Sequence, residues 1–448
     1  MSTPSSSNVS APQQQQQPQQ QHLEQFRLNP EEELRVEAST PVTLTLLDGG
    51  TAEIFGTELA VGRAYSFSHQ NLAVFSWHGC TIEVRGDPVH VYKASDTPMP
   101  TYANIHFALE TMREQAESSG SLGPRLVICG PVDSGKSSLS SILLGYATKR
   151  GRRPLFVDLD IGQGTISCPG VLAASVVDQP ADVEDGLRVS APLAYYFGHV
   201  SPTENPRRFR GLVEKLVAGI EARMAHDPVV RCSGLICNTM GWVDDLGYEL
   251  LVHTCKSLQA TSVVVIDHDR LYTDLDRHLN GPLAADPPPQ PASAPSPVAL
   301  IKVPKSGGVV SRPTAFRRSA RFSRIRTYFH GPRDTYSPAR GNLKFDEIRL
   351  FRIWGGKEAP RSALPLGAAP TFDTTRLLEV GPGPDCLNSL VAVVYARSEE
   401  DLPTANVAGF LHIVQVDLTT KTLAYLSPMA GPLPSKFLIM GSLKWIEQ

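Results

Sequence analysis

Arg125-Leu-Val-Ile-Cys-Gly130-Pro-Val-Asp-Ser-Gly135-Lys-Ser-Ser138 is the stretch that decides the fold. Residues 125–129 are a run of buried-strand character, apolar from Leu126 on, and Leu139, Ile142, Leu143, Tyr146 and Ala147 stripe one face of the helix that follows. Between them Gly130-Pro-Val-Asp-Ser-Gly135-Lys136-Ser137 is a complete G-x-x-x-x-G-K-[ST]. In a strand, glycine-rich loop and helix joined in this order, successive backbone N–H groups and the helix N-terminus face an anion. The segment is therefore expected to cradle a nucleotide's phosphates with Asp133, Ser134, Gly135, Lys136, Ser137 and Ser138. Lys136 would pair with the β- and γ-phosphate oxygens, Ser137 would ligate Mg²⁺, and Ser138 would add a hydroxyl at the helix start. The competing reading is a chance match, with odds on the order of a few per cent from average residue usage alone; the correct flanks lower them further.

Working outward, Leu155–Leu159, Leu235–Asn238, Ser262–Ile266 and Ala299–Val303 are further apolar strand candidates with helical stretches between several of them. That alternation predicts an α/β domain with a mostly parallel sheet. Asp158 and Asp160 lie at the end of the first of these strands, followed by the Gly-rich Ile161-Gly-Gln163-Gly164. A carboxylate there holds a metal's water shell or takes a proton from an attacking hydroxyl. Asp160, outside the strand, is the better placed of the two; a plain strand-end turn carboxylate is the alternative. Gln163 could orient the nucleophile or the γ-phosphate. A guanine-reading [NT]-K-x-D is absent from the strand end Val265-Ile-Asp-His-Asp-Arg270, which favours an adenine nucleotide.

The chain has 448 residues, 41% hydrophobic and 19% charged, with a net charge of −3. This composition excludes a general polyanion binder of the histone kind. No apolar run approaches the ~18 residues a bilayer span needs, and MSTPSSSNVS lacks the layout of a signal peptide, so neither membrane contact nor secretion is expected. The seven cysteines, 80, 129, 168, 232, 237, 255 and 386, never form C-x-x-C and suit reduced thiols. Residues 1–25 are read as a Ser/Gln/Pro-rich disordered tail, 26–100 as an N-terminal all-β domain, 101–340 as the P-loop domain and 341–448 as a C-terminal β-rich domain. The Pro/Ala/Ser stretch 280–298 is read as a disordered surface insertion.

The neutral average hides an island: Arg312 to Arg333 holds seven arginines and no acid. Phe322, Ile325 and Phe329 give it a helical apolar face, with Arg317, Arg321 and Arg324 on another. Such arginines suit a kinase lid that neutralises a transferring phosphoryl group, or contact with a polynucleotide backbone; a solvated basic face is the bland alternative. Trp242, in Asn238-Thr-Met-Gly-Trp242 after a strand, could stack a nucleobase or serve as core.

Long ordered blocks carry a family likeness: Glu33-Leu-Arg35, Ala52–Leu59, Trp77-His-Gly-Cys80, Asp96-Thr-Pro-Met99, the P-loop, Asp160–Gly164, Pro180–Glu184, Thr239–Trp242, Pro304–Val310, Phe316-Arg-Arg318 and Phe437-Leu-Ile439. From about Phe26 onward the chain resembles the Clp-type polynucleotide 5′-hydroxyl kinases, the ATP-binding subunit family of the pre-mRNA cleavage and polyadenylation machinery. The resemblance implies a central P-loop kinase domain flanked by N-terminal all-β and C-terminal β-rich domains, ATP and Mg²⁺ as cofactors, nuclear localisation, and other cleavage factor subunits and RNA 5′ ends as partners. It implies Lys136 and Ser137 on ATP·Mg²⁺, Asp160 as general base for the 5′-hydroxyl and Trp242 on the terminal base. Arg312 and Arg317 match the lid arginines, and Glu33 the contact to adenine. Two positions depart from the pattern: Met240 replaces a cysteine, and Asn71 stands where the family has a lysine near the nucleotide, which weakens that contact. Some members have lost the working lysine and serve as ATP-bound scaffolds, so transfer of the ATP γ-phosphoryl to a 5′-hydroxyl and a catalytically silent scaffold both stay open.

Overall fold

The structure is a computed structural model that describes residues 22–48, 50–281, 297–353 and 377–446. The chain divides into two compact units, one holding Met1–Ala52 and Leu59–Ala94, the other Glu53–Glu58 and Ser95–Gln448. The expected fold class is the one observed, a P-loop domain with β-rich segments before and after it.

The first nine strands are β1 (Leu23–Leu28), β2 (Glu32–Ala38), β3 (Val42–Asp48), β4 (Glu53–Ile54), β5 (Thr57–Glu58), β6 (Ala64–Phe67), β7 (Gln70–Ser76), β8 (Cys80–Gly86) and β9 (His90–Ala94). In the first unit β1, β8, β3 and β6 form one antiparallel sheet, while β2 pairs antiparallel with β7 and β9. Strand β8 shows why: Cys80, Ile82 and Val84 are buried and the residues between them are not, the period of two of a sheet with one dry face. Residues 23–25, assigned above to the tail, are instead the start of β1, with Leu23 opposite Arg85. Residues 1–21 lie outside the described residues.

In the second unit the order is α1 (Met99–Ser119), β10 (Arg125–Cys129), α2 (Lys136–Lys149), β11 (Leu155–Asp158), β12 (Val171–Val176), β13 (Leu193–Tyr196), α3 (Pro206–His226), α4 (Pro228–Ser233), β14 (Leu235–Asn238), α5 (Asp245–Ser257), β15 (Ser262–Ile266), α6 (Asp269–Leu279), β16 (Ala299–Val303) and α7 (Thr314–His330). The sheet runs β13-β12-β11-β14-β10-β15-β16. Its five strands from β11 to β16 are parallel, and β12 and β13 are antiparallel additions at one edge. Every residue of β10, β14 and β15 is buried, as expected of strands covered on both faces. The P-loop strand β10 is flanked by β14 and β15, so the carboxyl ends of β11, β14, β10 and β15 open onto one crevice, where open α/β sheets bind ligands.

The two-strand hairpin β4–β5 grips α2. A Cβ on Gly145 would come within 2.7 Å of the Gly56 carbonyl oxygen, so the backbones touch only because both residues lack one. The Tyr146 hydroxyl donates to Glu53, and Lys149 Nζ lies 2.9 Å from Glu58.

The insertion is pinned at its base. Asn280, the helix cap of α6, donates to the Val298 carbonyl at 3.0 Å and accepts from the Val298 amide at 2.8 Å. Both ends of the stretch read as disordered, 280 and 298, are therefore ordered, because Asn280 stands in for a sheet-like pair; 282–296 lie outside the described residues.

Seven C-terminal strands, β17 (Ala339–Lys344), β18 (Arg349–Ile353), β19 (Leu377–Val380), β20 (Ser389–Val394), β21 (Val407–Asp417), β22 (Thr422–Ser427) and β23 (Phe437–Lys444), form a sheet in the order β17-β22-β21-β20-β23-β18-β19. Helix α7 shares a core with it: Ile325 and Phe329 pack among Tyr196, Leu390, Phe410 and Trp445. The Phe329 ring stacks on Trp445 with centroids 5.6 Å apart, and the Tyr328 hydroxyl accepts from the Phe410 amide at 3.0 Å. The arginine segment is thus a helix anchored at its C-terminal end.

Candidate active site

The loop between β10 and α2 adopts the backbone an anion cradle needs. Gly130 and Gly135 have φ of 152° and 97°, and Asp133 φ of 53°. Gly130 is obligatory on space as well, since a Cβ there would sit 2.8 Å from the Ile266 carbonyl oxygen. Helix α2 starts at Gly135 with no side-chain cap, which leaves its first-turn N–H groups open toward the crevice. Ser137 is exposed at this start, Ser138 is half-buried, and the buried Ser134 hydroxyl has no hydrogen-bond partner among the described residues. Lys136 is folded back on the loop, its Nζ donating to the carbonyls of Gly130 at 2.9 Å and Pro131 at 2.7 Å. Burial lowers its pKa to about 8, against the pull of Asp160 and Asp133.

The two aspartates after β11 have different jobs. Asp158 is saturated: Oδ2 accepts from the Thr165 amide at 2.6 Å and hydroxyl at 2.9 Å, and Oδ1 from Asn238 Nδ2 at 3.1 Å and the Asp160 amide at 3.2 Å. Burial, then the neighbouring Asp160 charge, pushes its pKa up to about 6. Asp160 Oδ1 accepts the amides of Gly162 and Gln163, both at 3.0 Å, and no donor among the described residues reaches Oδ2. Burial raises the Asp160 pKa, opposed by the Gln163 amide and the Lys136 charge. Asp158 fixes the loop and Asp160 presents a free oxygen.

Helix α7 lies against the same loops. Gln163 Nε2 reaches the Arg317 carbonyl at 3.3 Å, and Asp133 accepts from Arg312 and Arg317. The charge of Arg312 is felt by both Lys136 and Asp160. Arg324, grouped above with Arg317 and Arg321 on the polar face, turns inward: burial lowers its pKa, and its charge faces Asp158 and Cys168. Trp242 follows β14, where the Thr239 hydroxyl donates to the Ile128 carbonyl at 2.9 Å. The indole is half-buried against Gly247 at the head of α5, where a Cβ would come within 2.7 Å of its ring carbons. Trp242 is neither wholly core nor free.

The second unit therefore brings together Asp133, Ser134, Gly135, Lys136, Ser137, Ser138, Asp160, Gln163, Arg312 and Arg317. Glu33 and Asn71 belong to the first unit. Glu33 is buried on β2 with Arg35 Nε 2.5 Å away, and Asn71 is exposed on β7 opposite Glu37. Thr165 and Asn238, which hold Asp158, were not singled out in the sequence; only the paired aspartates at 158 and 160 signalled that one carboxylate must be tied down.

A strand-loop-helix phosphate cradle with an aspartate after β11, one strand beyond β14 in the same sheet, and an arginine helix against the same loops defines a P-loop nucleotide-binding protein. The family described as mRNA cleavage and polyadenylation factor CLP1 P-loop matches residues 130–331; the N-terminal beta-sandwich domain of polyadenylation factor matches 27–116, and pre-mRNA cleavage complex II protein Clp1 matches 336–447. The chain belongs to the Clp1 family of the mRNA 3′-end processing machinery, and its P-loop domain is an ATP site. It is 41% identical over 89% of its length to a protein CLP1 homolog of Dictyostelium discoideum, of which 84% is covered. It is 40% identical over 94% of its length to the polyribonucleotide 5′-hydroxyl-kinase Clp1 of Homo sapiens, of which 96% is covered. Among solved structures, the Clp1p–Pcf11p complex superposes with a TM-score of 0.80 at 24% identity, covering 95% of this chain and 99% of that one.

Proposed function

We propose that the chain transfers the γ-phosphoryl group of ATP to the 5′-hydroxyl of RNA, acting in the nucleus as a subunit of the pre-mRNA cleavage factor. The observation that carries this reading is the free Oδ2 of Asp160, held by two backbone amides within the charge field of Lys136 and Arg312. A carboxylate so placed accepts the proton of an incoming hydroxyl, and its raised pKa makes it a stronger base at neutral pH than an exposed aspartate. Lys136, once it leaves the Gly130 and Pro131 carbonyls, places its ammonium on the phosphate oxygens, while the loop amides and the α2 N-terminus hold the rest of the chain. Arg312 and Arg317 neutralise charge that spreads over the transferring group. The hydroxyl of Ser137 and the Asp160 carboxylate are hard oxygen ligands fit for Mg²⁺, which when bound neutralises phosphate charge. Gln163 aligns the acceptor and Trp242 stacks its first base. A partner like the Pcf11p of the similar solved complex suits the complex role.

Purified full-length protein with Mg²⁺ and γ-labelled ATP is expected to label a 5′-hydroxyl oligoribonucleotide. Retained ATP binding with no transfer would leave the ATP-bound scaffold as the reading. Trp242→Ala is expected to raise the KM for the oligonucleotide about 10-fold, within the ~1–3 kcal/mol that base stacking contributes, and to leave ATP affinity unchanged. An unaltered KM would return Trp242 to a packing role.

A further inference from the structure

We propose that Asp133 is a positioning residue that aims both lid arginines at the transferring phosphoryl group; the inference rests on the kinase reading above and deepens it. One carboxylate takes three donors from the head of the lid: Oδ2 accepts the Arg312 amide at 2.9 Å and Arg317 Nη2 at 2.6 Å, and Oδ1 accepts Arg312 Nε at 3.2 Å. Each guanidinium is thereby gripped by one N–H only. Among the described residues the Nη groups of Arg312, and Nε and Nη1 of Arg317, make no hydrogen bond and stay available to an anion.

The phosphate cradle itself does not call for this carboxylate. Backbone amides make the cradle, and a negative charge beside a triphosphate opposes binding unless it is paired. Nor does the backbone demand aspartate, because at a φ of 53° asparagine is equally at ease. Asp133 with Arg312 and Arg317 sums to one net positive charge facing the cradle. Against the upward push of burial, the Arg312 amide and the Arg317 guanidinium hold the Asp133 carboxyl below the ordinary aspartate range.

Helix α7 needs such a tie at this end. Its N-cap, Pro313, makes no side-chain cap, so Asp133 supplies the negative charge that a helix N-terminus favours. The far end is fixed by Phe329 on Trp445 and by Tyr328 at the Phe410 amide. With one end packed, where the arginines point depends on Asp133 and on the longer Gln163 contact.

The test uses Asp133→Asn, which keeps size, backbone preference and one acceptor oxygen but removes the charge. In the full-length protein kcat for transfer is expected to fall about 100-fold, the low end of the cost of losing an oriented charge-stabilising donor, while ATP affinity in a direct binding measurement holds or tightens. If Asp133 acts through the arginines, Asp133→Asn added to the Arg312→Ala, Arg317→Ala double variant transfers no more slowly than that double variant alone. Multiplying losses, or a weakened ATP affinity with kcat intact, would overturn the proposal and make Asp133 a structural residue of the loop. Hydrogen exchange in the first turn of α7 separates this inference from the reading beneath it. Exchange there is expected to quicken in Asp133→Asn without any turnover, and unchanged exchange counts against the tie. Absence of transfer by the wild type overturns the kinase reading, and with it the catalytic purpose of the tie.

Discussion

Lys136→Ala is expected to reduce transfer to a 5′-hydroxyl end by at least about 10³-fold, the upper range for removing one preorganised donor at a developing charge. The ammonium is the one cationic group rooted in the cradle itself, and its resting partners are two loop carbonyls rather than a carboxylate. Breaking those neutral contacts to reach a phosphate costs little. The fold should survive the change, because alanine is the best helix former for the first residue of α2 and Leu139 still closes the first turn onto the Gly135 carbonyl at 3.0 Å. Unchanged thermal unfolding beside lost transfer is therefore the expected pair of results. Transfer persisting within tenfold would remove Lys136 from the chemistry. The wild type carries a related signature. With the pKa of Lys136 at about 8 before ligand arrives, its charge fades as pH rises through that value, so ATP affinity should weaken above about pH 8 and that weakening should vanish in the alanine variant.

How far the sequence could be read depended on how local the causing pattern was. The P-loop was legible because strand, glycines, lysine and helix are contiguous, and the helical period of Phe322, Ile325 and Phe329 marked the face of α7 that packs in the core. Strands β12 and β13 went unread: they are edge additions, β12 antiparallel to β11 and β13 antiparallel to β12, and their pairing is non-local. The start of β1 was masked by the polar stretch beside it, since Leu23–Gln25 is exposed and is held by β8 rather than by its own apolar content. In the site, residue types gave the chemistry but not the partnerships. The acid-free run 312–333 looked uncompensated, yet Arg312 and Arg317 meet their counter-charge at Asp133, 179 and 184 residues away. Spacing placed Arg324 on the polar face with Arg317 and Arg321, whereas in the fold it is buried with its charge facing Asp158 and Cys168. Position outside the strand already favoured Asp160; the folded chain adds the four donors that occupy Asp158.

That division between Asp158 and Asp160 yields the second large effect. Asp160→Asn is expected to lower kcat by about 10²–10⁴-fold, the usual worth of a positioned general base. The side-chain oxygen of asparagine still accepts the Gly162 and Gln163 amides, so the loop should keep its shape and only the basic oxygen is lost. The pH profile then identifies the group. Burial raises the Asp160 pKa above its ordinary value of 3.8, so the catalytic carboxylate is protonated, and transfer lost, at a pH where an exposed aspartate would still be ionised. Wild-type transfer should therefore be lost on the acid side at a higher pH than an exposed aspartate would give. The pKa of Asp158 is itself pushed up to about 6 by burial and by the charge of Asp160. The two carboxylates are coupled, so the acid limb belongs to the pair until one is removed. In Asp160→Asn that coupling is gone and the Asp158 pKa should drop. If residual transfer loses its acid limb, the limb reported Asp160 as base; a limb that only moves to lower pH, with kcat unchanged, would assign the titration to Asp158 and leave Asp160 without a proton to carry.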